Sequence, residues 1–193
     1  MDRIEGGSPI GMRAGAVVAA LAGAALLAGS ARFVMAGQAA EPAAAAANPR
    51  KAITIEARSG SKLTGMATFA EIRDRVHVTV EIAGATPGEH GVHIHEKGDC
   101  SAPDASSAGP HFNPGGHFHG GPNAPMHHAG DFGNLTAGPD GKGKLTLVTH
   151  DISLKPGPRS VMGRAIVVHE MADDLKSQPA GNAGARIGCG VIR

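Results

Sequence analysis

Arg75-Val76-His77-Val78-Thr79-Val80-Glu81-Ile82 alternates polar and apolar residues without a break. Side chains on a strand alternate between its two faces, so Val76, Val78, Val80 and Ile82 share one face and predict a half-buried strand. The pattern extends outward in both directions. Ala52 to Glu56 alternates in the same way, and Lys62 to Glu71 is a second candidate strand. Ser59-Gly60, Arg73-Asp74 and Thr86-Pro87-Gly88 supply turns between the runs. Further strands are predicted at Gly91 to Lys97, Phe132 to Ala137, Gly143 to His150, Ser160 to His169 and Ala185 to Ile192. Pro139-Asp140-Gly141 marks a hairpin turn. No run of twelve residues has a convincing amphipathic helical period. Eight short strands with punctuating turns imply an all-β fold: an antiparallel Greek-key barrel or an immunoglobulin-like sandwich.

Composition agrees. The 193 residues include 29 Gly and 13 Pro, which calls for many turns. Trp and Tyr are absent and Phe occurs five times, so large aromatics do not dominate the core. The formal net charge is +1. With Arg3, Arg13, Arg32, Asp2 and Glu5 of the first 40 residues set aside, positive and negative side chains are equal in number. This balance argues against a nucleic-acid partner, which calls for a basic face.

The N-terminus reads as a targeting segment. Arg13 precedes the uncharged, small-residue run Ala14 to Ala31, and Arg32 interrupts it. Residues 1–40 are expected to be a signal peptide or an N-terminal membrane anchor. Met12-Arg13 is a candidate alternative start, and Gly37-Gln38-Ala39 suits cleavage after Ala39. Residues 41–50, EPAAAAANPR, read as a linker, followed by the main domain at 51–193. Both readings of the N-terminus place the domain in the periplasm or otherwise outside the cytoplasm. Cys100 and Cys189, an even pair in an exported domain, suggest one disulfide, with two independent thiols as the alternative.

Eleven histidines are many for this length, and eight fall between His90 and His128. His93 and His95 are two apart on a predicted strand, so both imidazoles face one way and Ile94 faces the core. Such a pair suits one metal ion, although a solvent-facing polar pair has the same pattern. About thirty residues from Gly98 to Gly130 lack a strand pattern and contain His111, His117, His119, His127 and His128, with Asp131 just beyond. A long structureless stretch needs something to order it, and metal ligation plus a disulfide is a candidate. Imidazoles with one carboxylate suit zinc, and imidazoles alone also suit copper. A disordered metal-scavenging tract has the same composition.

Six blocks in order resemble the copper,zinc superoxide dismutase family, in its exported bacterial form. They are Gly91-Val92-His93-Ile94-His95-Glu96-Lys97-Gly98, Ser107-Ala108-Gly109-Pro110-His111-Phe112-Asn113-Pro114, and His119-Gly120-Gly121-Pro122 with His128-Ala129-Gly130-Asp131-Phe132-Gly133-Asn134. Next come Gly163-Arg164-Ala165-Ile166-Val167-Val168-His169-Glu170, then Asp173-Asp174-Leu175, then Gly181 through Ile192 with Cys189 inside it. The resemblance covers about residues 51–193. It implies that His93, His95, His111 and His169 hold a copper ion, and that His111, His119, His128 and Asp131 hold a zinc ion. His111 would then bridge the two. His119 precedes Gly-Gly-Pro and His128 begins His-x-Gly-Asp, so both are preferred over His117 and His127. Asp173 matches a carboxylate linking a copper histidine to a zinc histidine, and His90 matches one that braces backbone. The resemblance also pairs Cys100 with Cys189. His77 reads as exposed, and His150 has no role that can be named.

The implied activity is superoxide dismutation in two steps, with copper cycling between two oxidation states and O2 and H2O2 leaving in turn. His111 would carry a proton, and Arg186 would attract the anion over the copper, helped by Lys97 and Lys176. The segment LKSQPAGNAGA after Asp174 is shorter than the guiding loop of many relatives, and Ala180 stands where a threonine is common. Rival readings are a metal buffer, a copper carrier of the same fold and a purely structural sandwich. A buffer needs neither His169 nor Arg186, and a carrier is expected to lose Arg186 or a copper ligand. Oligomeric state stays open, with a homodimer and a membrane tether through the N-terminus both compatible with the sequence.

Overall fold

The computed structural model describes residues 49–193. The expected signal or anchor segment, 1–40, and the linker residues up to 48 lie outside the described residues. Eight strands follow in chain order: β1 (Arg50–Ala57), β2 (Thr64–Ile72), β3 (Arg75–Ala83), β4 (Gly88–His95), β5 (Asp131–Ala137), β6 (Gly143–Thr149), β7 (Ala165–His169) and β8 (Arg186–Val191). They close a barrel in the order β1-β2-β3-β6-β5-β4-β7-β8, with every pairing antiparallel. The β3–β6 and β4–β7 neighbours make the connections Greek-key. Two seams are narrow. β5 meets β6 only at Ala137–Gly143, and β1 meets β8 only at Glu56–Cys189 and Ala57–Gly188.

The alternation of β3 is realised as read: Val76, Val78, Val80 and Ile82 are buried, and His77 is exposed. The core is aliphatic, with Phe69, Phe112 and Phe132 as its aromatic members. β4 is buried on both faces from His90 to His95. Ile94 packs in the barrel, while His93 and His95 point outward under the long loops. The solvent-facing alternative for this pair is therefore not the one the fold adopts.

Several strand ends differ from expectation. β7 begins at Ala165 rather than Ser160, because Val161 to Arg164 forms a turn closed by Arg164 N–H to Val161 C=O (3.1 Å), with Gly163 at φ 76°. β4 ends at His95 because Glu96 and Lys97 donate instead to Pro110 and Ala108 of the loop. Arg50, read as linker, already pairs with Ala70 in β1.

The loop between β4 and β5 is held by more than a disulfide. A bridge joins His95 to His111, Phe112 N–H donates to Ile94 C=O (2.7 Å), and Ile94 N–H donates to Gly130 C=O (2.9 Å). Ser106–Ala108 forms one 3₁₀ turn. Cys100 and Cys189 are disulfide-bonded as expected, tying the loop to β8. The pair closes 89 residues, which chain-entropy reasoning values at roughly 4–5 kcal/mol. At the other end of the barrel, the buried Glu71 carboxylate accepts from Leu154 N–H (2.7 Å), Ser153 Oγ (3.1 Å) and Lys155 Nζ (3.0 Å), fixing the β6–β7 loop.

Candidate metal centre

Two irregularities in the ladders decide which side chains meet. Between β4 and β5 the register slips, so Gly91 faces Asn134 but His93 faces Asp131. The additional β5 residue is accommodated at Gly133, whose φ of 79° is easily reached only without a side chain. Without this bulge Phe132 would oppose His93, and Asp131 would miss the centre. β8 likewise has an extra residue against β7, so His169 faces Arg186 while Val168 faces Gly188.

The result is two groups of buried ligand atoms: His93, His95, His111 and His169, and His111, His119, His128 and Asp131. Within each group one donor atom per residue lies within 4.8 Å of all the others. His111 is the only member of both. These are the residues that the sequence motifs single out. His117 is exposed, with its backbone held by Asn113 and its Nδ1 against His127 C=O (3.2 Å). His127 turns toward Asp151, and neither ring joins a group.

The hydrogen bonds of each ring show which nitrogen is left bare. A backbone carbonyl or the Asp173 carboxylate can only accept, so the ring nitrogen facing it carries the proton, whereas Asp131 is itself a candidate metal donor and a nitrogen beside it can share a cation with it. His95 Nδ1 donates to Gly109 C=O (2.8 Å) and His169 Nδ1 to Gly184 C=O (3.2 Å). Their Nε2 atoms then face one another at 3.4 Å as lone pairs. His93 Nε2 donates to Asp173 Oδ2 (2.8 Å), which leaves Nδ1 buried without a partner. His119 Nε2 donates to Asp173 Oδ1 (2.9 Å). Its Nδ1 lies 3.1 Å from Asp131 Oδ2 but out of line for a hydrogen bond, so it too is orphaned. His111 Nε2 is the third orphan, while its Nδ1 sits 2.9 Å from Asp131 Oδ1 and 3.5 Å from His128 Nδ1.

Buried polar atoms are almost always satisfied, and lone pairs do not face one another unless a cation sits between. A tetrahedral ion with bonds of about 2.0–2.1 Å separates its ligands by about 3.3 Å, close to the spacings found here. The residues present therefore fit two metal ions.

Electrostatics point the same way. Burial, with His111 nearby, draws the His93 imidazole down to about 4 against the opposing pull of Asp173. Burial also holds His95 and His169 well below the ordinary imidazole value, reinforced by His111 at His95 and by His93 at His169, and Arg186 acts in the same sense on both. These rings are thus held neutral, the form that could ligate a metal ion. On the other side, burial would raise Asp131, but the His111 and His119 rings outweigh it and hold its carboxyl far below the usual range. Burial works against a proton on His119, yet Asp131 and Asp173 together hold it at about 9. A strong negative site of this kind attracts a cation.

Around the groups, Asp173 is fixed by Asn134, which accepts from its N–H (2.7 Å) and donates to its C=O (2.8 Å). Gln178 grips His119 by both backbone groups. His90 spans His169 C=O and Thr86 C=O at 2.8 Å each, consistent with the bracing its motif implies. Arg186 is half-buried and donates to Ala105 C=O (2.8 Å). Lys97 and Lys176 are exposed, and His150 lies on the surface beside Asp151. The roles of Asn134 and Gln178 were not legible beforehand. Asn134 ends a motif block, which is a weak signal, and Gln178 has none.

Comparison with known proteins completes the picture. The family described as copper/zinc superoxide dismutase (SODC) matches residues 63–192. A superoxide dismutase [Cu-Zn] of Deinococcus radiodurans is 43% identical over 143 residues, which span 68% of this chain and 78% of that protein. Among solved structures, the clock protein EA4 superposes with a TM-score of 0.68 at 40% identity, over 76% of this chain and 94% of that one. Taken with the closed eight-stranded barrel and the two buried ligand groups, these matches place the chain in the copper/zinc superoxide dismutase family, as a superoxide-dismuting oxidoreductase with copper and zinc as cofactors.

Proposed function

We propose that His93, His95, His111 and His169 hold the copper, that His111, His119, His128 and Asp131 hold the zinc, and that His111 bridges them. The observation carrying this assignment is the set of buried, partnerless nitrogens His93 Nδ1, His111 Nε2 and His119 Nδ1. Bound copper supplies a one-electron redox couple, and bound zinc supplies a fixed positive charge. The overall reaction converts two superoxide anions and two protons into O2 and H2O2.

The protein's residues have separate tasks. His111 Nδ1 stays on the Asp131 side, while Nε2, which would face the copper, could carry a proton for the reduced product only while it is released from that ion. Asp173 keeps His93 and His119 in the tautomers that leave their inward nitrogens free. Arg186, opposite His169 and tethered to Ala105, presents a guanidinium to the incoming anion. Exposed Lys97 and Lys176 add a weaker, salt-screened attraction.

Arg186→Ala tests this reading, because guanidinium is no metal ligand. Copper and zinc content should stay near the wild-type level while the dismutation rate falls by about tenfold or more. Arg186→Lys should recover part of the rate. Full activity in Arg186→Ala would remove anion guidance from this residue. A metal-replete wild type without dismutation would favour the metal-store reading.

The domain is exported, in this reading, and protects against superoxide outside the cytoplasm. Residues 1–40 act as a cleaved signal or as a membrane tether, and 41–50 as a linker. The disulfide supports this, since such bonds persist in oxidising compartments. N-terminal sequencing of protein from fractionated cells tests it. A start near Ala40 supports cleavage, and an intact chain in the membrane fraction supports the tether. An intact chain in the cytoplasm overturns both. Sedimentation of the purified protein decides between monomer and homodimer.

A further inference from the structure

β8 begins where β1 has already ended. The two strands pair only at Glu56–Cys189 and Ala57–Gly188, so Arg186 and Ile187 at the start of β8 have the turn after β1 as their neighbour. That turn supplies other donors in place of a ladder. Arg58 N–H donates to Ile187 C=O (2.9 Å), Ser61 Oγ donates to the same carbonyl (2.6 Å), and Ser59 Oγ donates to Arg186 C=O (2.9 Å). The turn also grips the disulfide loop. Ser59 N–H donates to Pro103 C=O (2.8 Å), and Arg58 Nε donates to Cys100 C=O (2.9 Å).

Ser59 is thus joined to both anchor points of Arg186. The Arg186 carbonyl accepts from the Ser59 hydroxyl, and the Arg186 guanidinium donates to Ala105 C=O (2.8 Å). Ala105 N–H donates in turn to Ala102 C=O (2.9 Å), next to the Pro103 carbonyl that Ser59 holds. An arginine side chain is long and rich in rotamers, so the direction of its guanidinium depends on both ends being fixed. The ladder to β7 is irregular at this point, since His169 faces Arg186 while Val168 faces Gly188. Fixation from the β1 side counts for correspondingly more.

The backbone at Ser59 points the same way. Its φ is 53°, in the left-handed region that favours glycine, and Gly60 beside it has φ 72°. Glycine at position 59 would adopt this conformation more readily. Serine there keeps a hydroxyl, and that hydroxyl reaches a residue 127 positions away. Unfavourable backbone conformations persist where the surrounding structure holds them, and they cluster at sites of function.

Given the assignment of Arg186 as the anion guide, on which this role depends, we propose that Ser59 is a positioning residue for it. Ser59 fixes the Arg186 backbone through its hydroxyl and the loop that receives the guanidinium through its N–H. The hydroxyl is exposed and water competes for it, so the effect is that of one modest hydrogen bond.

The test uses the full chain loaded with copper and zinc. Ser59→Gly removes the hydroxyl and relieves the backbone, so metal content and Tm should stay close to wild type. The dismutation rate should fall by about threefold, and so should the affinity for azide, a small anion titrated by copper absorption. Ser59→Asn tolerates the left-handed conformation and offers an N–H donor, so it should restore part of both. In the Arg186→Ala background, Ser59→Gly should change neither quantity, because no guanidinium remains to be aimed. An equal fall in both backgrounds would show that Ser59 acts on the barrel and not on Arg186, and would overturn the proposal. Wild-type rate and azide affinity in Ser59→Gly, beside an impaired Arg186→Ala, would overturn the role of Ser59 and leave that of Arg186 intact. Full activity in Arg186→Ala itself would remove both roles.

Discussion

Gln178 reads His119 as a neighbouring strand would: its Oε1 accepts from the His119 N–H at 2.8 Å, and its Nε2 donates to the His119 C=O at 2.9 Å. Through this one side chain, the short segment between β7 and β8 fixes the backbone of a proposed zinc ligand 59 residues away. Gln178→Ala removes both bonds, at about 1–3 kcal/mol in total. That corresponds to about fivefold to a hundredfold in zinc affinity. Zinc loss to a chelator should speed up while copper content holds, as metal analysis over time would show. Equal loss of both metals would mean that the clamp supports the whole loop rather than His119.

Gly181 has no room for a side chain. An added Cβ would overlap Asp173 Oδ1 and lie 2.6 Å from His119 Nε2, and its φ of 64° already disfavours other residues. Gly181→Ala should push Asp173 off His119 and lower zinc affinity by about 10–100-fold. Asp173→Asn keeps the volume but loses the charge that holds two rings, so it should weaken both metals. Competition with a chromophoric chelator would measure each affinity.

His119 and His95 belong to different groups that share only His111. His119→Ala should lose zinc with less loss of copper, whereas His95→Ala should lose copper and activity together. Metal analysis of each purified variant decides the matter. Loss of copper alone from His119→Ala would invert the assignment.

Glu71 couples the β6–β7 loop to pH. Burial would raise its pKa, but Lys155, the Leu154 N–H and Ser153 outweigh burial and hold it below the ordinary value. A carboxyl with a lowered folded-state pKa stabilises the fold above its unfolded pKa of about 4.3, and this contribution disappears as pH falls through the lowered value. Glu71→Gln should therefore cost about 1.5–3 kcal/mol near neutral pH, and its Tm gap from the wild type should close in acid. A gap independent of pH would show that shape, and not charge, does the holding.

Strand positions were legible because one face of each barrel strand is buried, and burial leaves an alternating trace, as in Val76, Val78, Val80 and Ile82. Strand ends were less so. Ser160 and Val161 have strand-like composition, yet the turn at Gly163 removes them from β7. Composition alone assigns the order of the long loop to metal and a disulfide, whereas backbone bonds from Ile94 to Phe112 and Gly130 also hold it.

The sequence by itself determined the all-β class, the candidate ligand residues and the cysteine pair, because period, motif and residue chemistry are local properties. Tertiary structure decided which atoms face one another. The bulge at Gly133 aims Asp131 at His93, and the extra residue in β8 sets Arg186 opposite His169. Asp173 and Gln178 reach His119 across 54 and 59 residues. A one-residue slip in a strand turns every following side chain to the opposite face. Such contacts depend on register and loop closure, which no short stretch of sequence contains.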